Sequence, residues 1–158
     1  MIRPIKISDA KQITEIYNYY VINTLVTFDI EPLPISEFEN RIENFKYDWL
    51  VYEENNEILG YAYAGKWRKK PAYNNTLECT VYLKKGVSGR GIGSTLYSNL
   101  IHCCKQKDIK ILIGGLTLPN EASIRLHEKF GFEKVAHFKK VGFKFNQWCD
   151  VGFWQLEL

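Results

Sequence analysis

Apolar residues change their period several times along this chain, and each change marks the edge of a predicted element. Ile2 to Lys6 reads as a short strand. From Ser8 or Asp9, either of which can cap a helix, the apolar positions Ile13, Ile16 and Tyr17 share one face through Tyr20. Asn23 to Pro34 carries two prolines and the cluster Thr27-Phe28-Asp29, which predicts an ordered loop. A second helix is predicted from Ser36 to about Phe45, where Ser36-Glu37-Phe38-Glu39 has the form of a capping box. Trp49 to Tyr52 and Ile58 to Ala64 then make a hairpin around Asn55-Asn56. Leu77 to Leu83 is apolar and β-branched, a strand, whereas Leu96, Leu100 and Ile101 return to helical spacing. A short buried strand follows at Ile109 to Ile113, then a helix from Asn120 to Phe130 stopped by Gly131. Phe132 to Phe143 and Trp148 to Leu158 close the chain as two strands. Strands before and after helices, mixed with hairpins, predict an α/β fold with a central mixed sheet, one domain over residues 1–158.

The most informative stretch lies between the Leu77 strand and the Leu96 helix: Gly86-Val87-Ser88-Gly89-Arg90-Gly91-Ile92-Gly93-Ser94. A glycine loop between strand and helix is a phosphate cradle. Glycine lets the backbone approach an anion, N–H groups point at it, and the helix N-terminus adds partial positive charge. The loop is therefore expected to hold the pyrophosphate of a nucleotide-like cofactor, although such a run can also be punctuation between elements. A Walker loop would end Gly-Lys-Ser/Thr, and here the ending is Ile92-Gly93-Ser94. A dinucleotide fingerprint needs a third glycine where Leu96 stands, and belongs near the first strand of its unit.

Composition bounds the class. The 158 residues are 46% hydrophobic and 15% aromatic, a globular chain with enough material for a core without disulfides or metal. No apolar run approaches the ~20 residues of a membrane helix. Met1 to Lys6 lacks a signal-peptide core, so a cytoplasmic protein is expected, without membrane association. A net charge of +3 suits an anionic ligand and falls far short of a nucleic-acid binder. The four cysteines form no C-x-x-C pair, so no metal is expected and buried, inert thiols are the reading.

Several motifs together carry a resemblance. The loop ends in x-x-Gly91-x-Gly93, and Asn120 to Phe132 reads N-E-A-S-I-R-L-H-E-K-F-G-F. Both resemble motifs of the GNAT acetyltransferases. Ile16 to Val21, Ala72-Tyr73, Glu78 to Tyr82, Val141 to Lys144 and Trp148 to Gln155 narrow the likeness, and the Asp150 to Gln155 tail is the most diagnostic of them. From Ile2 to about Leu156 the chain is similar to the phosphinothricin N-acetyltransferases. That resemblance implies a GNAT domain with a mixed, mostly antiparallel sheet flanked by helices. It also implies acetyl-CoA as co-substrate, a small amino-acid-like amine as acceptor, and a homodimer. Two rival activities keep the same fold: a peptide or protein N-acetyltransferase, and a non-catalytic acyl-CoA-binding module.

Amine acetylation needs a neutral amine, a polarised carbonyl and a proton for the departing thiolate. Glu78 is the candidate base: it shares a strand face with Thr80 and Tyr82, and a carboxylate among Leu77, Cys79 and Val81 is unusual unless it is merely a solvated strand end. With an ordinary carboxyl near ~4.3, Glu78 would need an upward shift or a relay water. The resemblance places backbone groups of Val81, Tyr82 and Leu83 along the pantetheine arm, where a splayed or bulged strand would free them. It wraps Gly89, Arg90, Gly91, Ile92, Gly93 and Ser94 around the pyrophosphate. Ser88 stands where many relatives carry Gln or Arg, and Arg90 either compensates or is solvated. Asn120 is expected to cap its helix, and the resemblance adds a cofactor contact. His127 falls where many GNAT enzymes place a tyrosine that protonates the CoA sulfur; packed structure is its other reading. Arg68 and Lys70 occupy the family's basic pair for the acceptor carboxylate, with Lys70 and Pro71 departing from the pattern, and Phe28 and Tyr73 would wall the side-chain pocket. A solvated basic run is the alternative for residues 68–70.

Overall fold

The computed structural model describes residues 1–158 and builds them around one seven-stranded sheet, in the order β1-β2-β3-β4-β5-β7-β6. Its strands are β1 (Ile2–Pro4), β2 (Trp49–Glu54), β3 (Glu57–Lys66), β4 (Thr76–Leu83), β5 (Ile111–Leu118), β6 (Glu133–Lys144) and β7 (Gln147–Glu157). Every neighbouring pair is antiparallel except β4 with β5. The helices are α1 (Ala10–Asn23), α2 (Ile35–Asn44), α3 (Ile92–Lys105) and α4 (Glu121–Lys129). The mixed, mostly antiparallel α/β fold expected from the sequence is the one observed. No helix is long and apolar enough to cross a membrane.

Alternation along β4 divides the core between the two faces of this sheet. Leu77 and Cys79 pack with Leu96, Leu100 and Cys104 of α3 on one face. On the other, Tyr82 joins Ile13 and Tyr17 of α1, Phe38 of α2 and Trp49 and Tyr61 of the hairpin. The hairpin turn has both asparagines in the left-handed region, Asn55 at φ 51° and Asn56 at φ 63°, as its sequence predicts. All four cysteines are free thiols. Burial pushes the Cys79 thiol well above its ordinary range and Cys104 up to about 12, so neither supplies thiolate at neutral pH.

Two expected caps are absent. Helix α2 starts at Ile35 after Pro34, so Ser36 lies inside the first turn and makes no capping hydrogen bond. Asp9 stands at the N-cap of α1 without capping it. Its buried carboxylate instead accepts from Arg3 Nη1 at 2.7 Å, Arg3 Nη2 at 2.9 Å and the Lys6 N–H at 2.8 Å, tying β1 to the start of α1. Propensity named the right residue; a bidentate charged partner took it.

The strand expected at Ile109–Ile113 begins at Ile111 and runs on to Leu118. The Gly114-Gly115 pair reads locally as a breaker, yet β7 pairs with β5 along its whole length, from Ile111↔Glu157 to Leu118↔Asp150. β4 does not. Its parallel pairing with β5 covers only Thr76↔Ile111, Leu77↔Leu112 and Glu78↔Ile113, while β3 holds β4 from Leu77 to Leu83 without a register shift. The two strands therefore part after Glu78, and the sheet is open through its middle. This is a splay and not a bulge. At the far edge, the β6–β7 hairpin leaves Val141, Phe143, Phe145 and Trp148 exposed, whereas Trp154 of the same tail is buried in the core.

Candidate active site

The opening between β4 and β5 holds a cavity of about 290 Å³. Glu78, Thr80, Val81 and Tyr82 line it from β4, Gly115, Leu116 and Thr117 from β5, and Val26, Thr27 and Phe28 roof it from the α1–α2 loop. Asn120, Ser123 and His127 of α4 and Tyr97 of α3 close the opposite side. Because the ladder has ended, backbone groups along the facing edges of β4 beyond Glu78 and β5 beyond Ile113 are not consumed by β4–β5 pairing. A ligand threaded here can use them.

The two glycines of β5 make the approach of functional side chains possible, because successive strand residues point to opposite faces. A Cβ at Gly114 would overlap the His127 ring. A Cβ at Gly115 would sit 3.2 Å from Glu78 Oε1 and 3.0 Å from the Phe153 ring. Glu78 and His127 thus reach the opening from opposite faces of the sheet, each over its own glycine. Burial raises the Glu78 carboxyl above its usual range, and the nearby Arg68 charge offsets part of that rise.

His127 is 2% exposed and its ring is held at both nitrogens. Nδ1 lies 2.7 Å from the Ser123 carbonyl, which can only accept, so Nδ1 carries the proton. Nε2 therefore accepts from the Tyr97 hydroxyl at 2.8 Å. Burial lowers the imidazole below its ordinary range, outweighing the Ser123 contact that raises it. At neutral pH His127 is neutral, with Tyr97 as its partner. Asn120 caps α4 as expected, its Oδ1 accepting from the Ser123 N–H at 3.2 Å, and it also lines the cavity.

A second groove, of about 380 Å³, lies at the glycine loop and is lined by Leu83, Gly89, Gly91, Ile92, Gly93 and Ser94. Gly89 at φ 83° and Gly91 at φ 77° adopt left-handed backbone that side chains resist, and Gly91 is the N-cap of α3. The first N–H groups of α3 have no partner within the helix, so an anion seated here would complete them. Arg125 and Lys129 of α4 add two cations to the same groove, and Lys129 Nζ donates to Ser94 Oγ at 3.0 Å. The donor set fits a pyrophosphate. Arg90 turns away from the groove, Nη2 holding both oxygens of Glu54 at 2.9 Å in an exposed pair.

The expected residues fall into three groups. Phe28, Glu78, Val81, Tyr82, Asn120 and His127 meet at the opening; Leu83 and the loop from Gly89 to Ser94, Arg90 excepted, meet at the groove. Arg68, Lys70 and Tyr73 lie outside both, on the loop before β4, where Arg68 stacks on Trp67 at 4.7 Å and Tyr73 meets the same ring edge-on. Tyr82 turns its ring into the α1 core, 5.3 Å from Tyr17, and its backbone faces Tyr61 in the β3 ladder, so on the β5 side Val81 and Leu83 present the backbone groups and Tyr82 does not. Sequence reasoning passed over Tyr97, Gly114, Gly115, Arg125 and Lys129. Of these only Gly114 and Gly115 carried a local signal, a glycine doublet inside an apolar strand. No group of three or more His, Cys, Asp or Glu is placed to hold a metal ion.

Comparison with known proteins agrees with this architecture. The family model "Acetyltransferase (GNAT) domain" matches residues 2–152. The phosphinothricin N-acetyltransferase of Streptomyces coelicolor is 40% identical over 163 residues, covering 99% of this chain and 95% of that protein. The L-methionine sulfoximine/L-methionine sulfone acetyltransferase of Salmonella typhimurium is 35% identical, covering 96% and 90%. The crystal structure of a phosphinothricin acetyltransferase from Sinorhizobium meliloti in complex with AcCoA matches at a TM-score of 0.96 and 32% identity, covering 100% and 88%. The chain is thus an N-acetyltransferase of the GNAT family and belongs to its phosphinothricin N-acetyltransferase branch.

Proposed function

We propose that this protein transfers acetyl from acetyl-CoA to the primary amine of a small amino-acid-like acceptor, by direct attack with both substrates bound. The observation that carries this reading is the opening of the sheet, with Glu78 on one face, His127 and Tyr97 on the other, and the glycine-loop groove at the end of β4. Related proteins acting on phosphinothricin or on methionine sulfoximine and sulfone support the acceptor class, and the relative solved with AcCoA supports the acetyl donor.

Acetyl-CoA supplies an activated thioester. Gly89 to Ser94, with Arg125 and Lys129, would seat its pyrophosphate, while the β4 edge at Val81 and the N–H of Leu83, whose carbonyl already accepts from Tyr20 Oη, would meet the pantetheine arm together with the Asn120 amide. An N–H of that edge would polarise the thioester carbonyl. Glu78 removes the amine proton through a relay water, its raised pKa matching the task. The nitrogen bonds to the acetyl carbon, the carbon–sulfur bond breaks, and the thiolate takes the hydroxyl proton of Tyr97, which recovers one from solvent while Glu78 releases the amine proton to solvent, closing the cycle. Because His127 is held neutral, the pair acts together and not as a stored imidazolium. Cys79 lines the cavity, but with its thiol pushed so far up it makes a poor nucleophile, which favours direct attack over an acetyl-enzyme. The Val26–Phe28 roof favours a small acceptor over a peptide, which would need an open groove. Arg68, whose charge is felt at Glu78, is the residue we assign to the acceptor carboxylate, with Lys70 and Tyr73 beside it on the loop.

Self-association belongs to the same reading. Phe143, Phe145 and Trp148 (63% exposed) form an apolar cluster at the β6–β7 hairpin, and a second copy of the chain is its natural cover. Light scattering is expected to give a dimer for the wild-type protein and a monomer for Trp148→Glu; a monomeric wild-type protein contradicts the assignment.

Acetyl-CoA-dependent thiol release, measured across amino acids that include phosphinothricin and methionine sulfoximine, is expected to reveal turnover of at least one free amino acid and none of peptides. Release with peptides alone would move the protein to the rival class, and binding of acetyl-CoA without release towards any amine would make it a binding module. Glu78→Gln is expected to lower kcat by about 10²-fold. In the wild type kcat should hold above the raised Glu78 pKa and fall as pH drops through it, because the base must be ionised. Arg68→Met removes the charge that depresses this pKa and should move the acid limb to higher pH. An unmoved limb in both variants contradicts Glu78 as the base.

A further inference from the structure

Phe28 and its neighbours are held in the roof of the active-site cavity by a distant part of the chain. Residues 24–34, between α1 and α2, contain no helix or strand of their own, yet Thr27 and Phe28 line the cavity. Two residues of β6 fasten them. Lys144 is 3% exposed, and its Nζ donates to the Thr27 carbonyl at 2.8 Å across 117 positions of sequence. Two residues earlier, Gly142 leaves its α-carbon bare against the Phe28 ring, and a Cβ added there would overlap the ring. Tyr17 ties the loop from below. Its single hydroxyl proton goes to the Asp29 carboxylate, so the Thr27 hydroxyl donates to Tyr17 Oη at 2.7 Å.

Burying an ammonium group is costly unless it completes a polar network. Here the Lys144 ammonium reaches a loop carbonyl and lies over the Phe145 ring at 5.0 Å. Neither Gly142 nor Lys144 lines the cavity; Lys144 meets its lining at Thr27 and Gly142 at Phe28.

We propose that Gly142 and Lys144 are positioning residues that set the height of the Thr27–Phe28 roof and thereby decide which acceptor side chains fit, with no part in binding acetyl-CoA. This rests on the assignment of the cavity to an amine acceptor. Gly142→Ala would push the Phe28 ring down into the cavity. Lys144→Met would leave the Thr27 carbonyl without its donor and loosen the loop.

A double-mutant cycle on Gly142→Ala and Phe28→Ala tests it. Gly142→Ala alone is expected to raise the acceptor KM by about tenfold, the order of one misplaced group in an apolar pocket. The KM for acetyl-CoA should stay within about twofold, the spread of independent sites. In the Phe28→Ala background the same glycine substitution should change the acceptor KM by less than about twofold, because the ring it displaces is gone. Equal effects in both backgrounds, or parallel movement of the acetyl-CoA KM, would overturn the proposal. Amide hydrogen exchange needs no turnover and separates this inference from the reading beneath it. Residues 25–30 should exchange faster in Lys144→Met and in Gly142→Ala, with residues 86–95 unchanged. Unchanged exchange at 25–30 overturns the fastening itself, whereas faster exchange in a wild-type fold that acetylates no amine would leave the fastening standing and remove the acceptor assignment.

Discussion

The end of β4–β5 pairing at Glu78 and Ile113 is the constraint on which the rest of the site depends. A sheet normally consumes the backbone groups along both edges of every inner strand. Here β3 and β7 keep their partners in register while β4 and β5 let go of each other, so inner strands acquire free edges without the sheet falling apart. A cavity results that is lined from both the α1–α2 face and the α3–α4 face. It brings a carboxylate from one face and a histidine–tyrosine pair from the other to one opening, which side chains on one face of a closed sheet could not do.

Two glycines finish what the splay begins. Gly114 and Gly115 clear space on opposite faces, one for His127 and one for Glu78. The electrostatics then follow from where these groups lie. Glu78 is desolvated enough to rise, with Arg68 near enough to limit the rise, which suits a base. His127 is buried enough to stay neutral and is tied at both nitrogens, which fixes its tautomer. The glycine-loop groove stands apart from both, built from left-handed glycines and the start of α3, with the cations Arg125 and Lys129 of α4 lining it.

Most of the fold was legible in the sequence, and the failures have physical causes. Helical periodicity found α1, α3 and α4, because their buried faces are what the fold needs of them. The glycine loop before α3 was legible as a break between strand and helix, and two of its glycines take the left-handed backbone that most side chains resist. β5 was truncated because Gly114-Gly115 lowers strand propensity, and pairing with β7 overrides it. The error fell on the half of the strand that lines the opening, where local preference gives way to the room that His127 and Glu78 need. Tyr97 was invisible for another reason: on a buried helix face its ring counts as core, and only the fold brings its hydroxyl to His127. Arg90 carried two readings, a phosphate contact or a solvated arginine, and its exposed pair with Glu54 corresponds to the second.

The most direct measurement is a crystal structure of the protein with acetyl-CoA bound. The account predicts density for the pantetheine arm in the opening between Val81 and Leu116, the thioester between Glu78 and the Tyr97–His127 pair, and the pyrophosphate on the N–H groups from Gly89 to Ser94. Density running along an outer face of the sheet, or β4 and β5 found zipped together beyond Glu78, would contradict it.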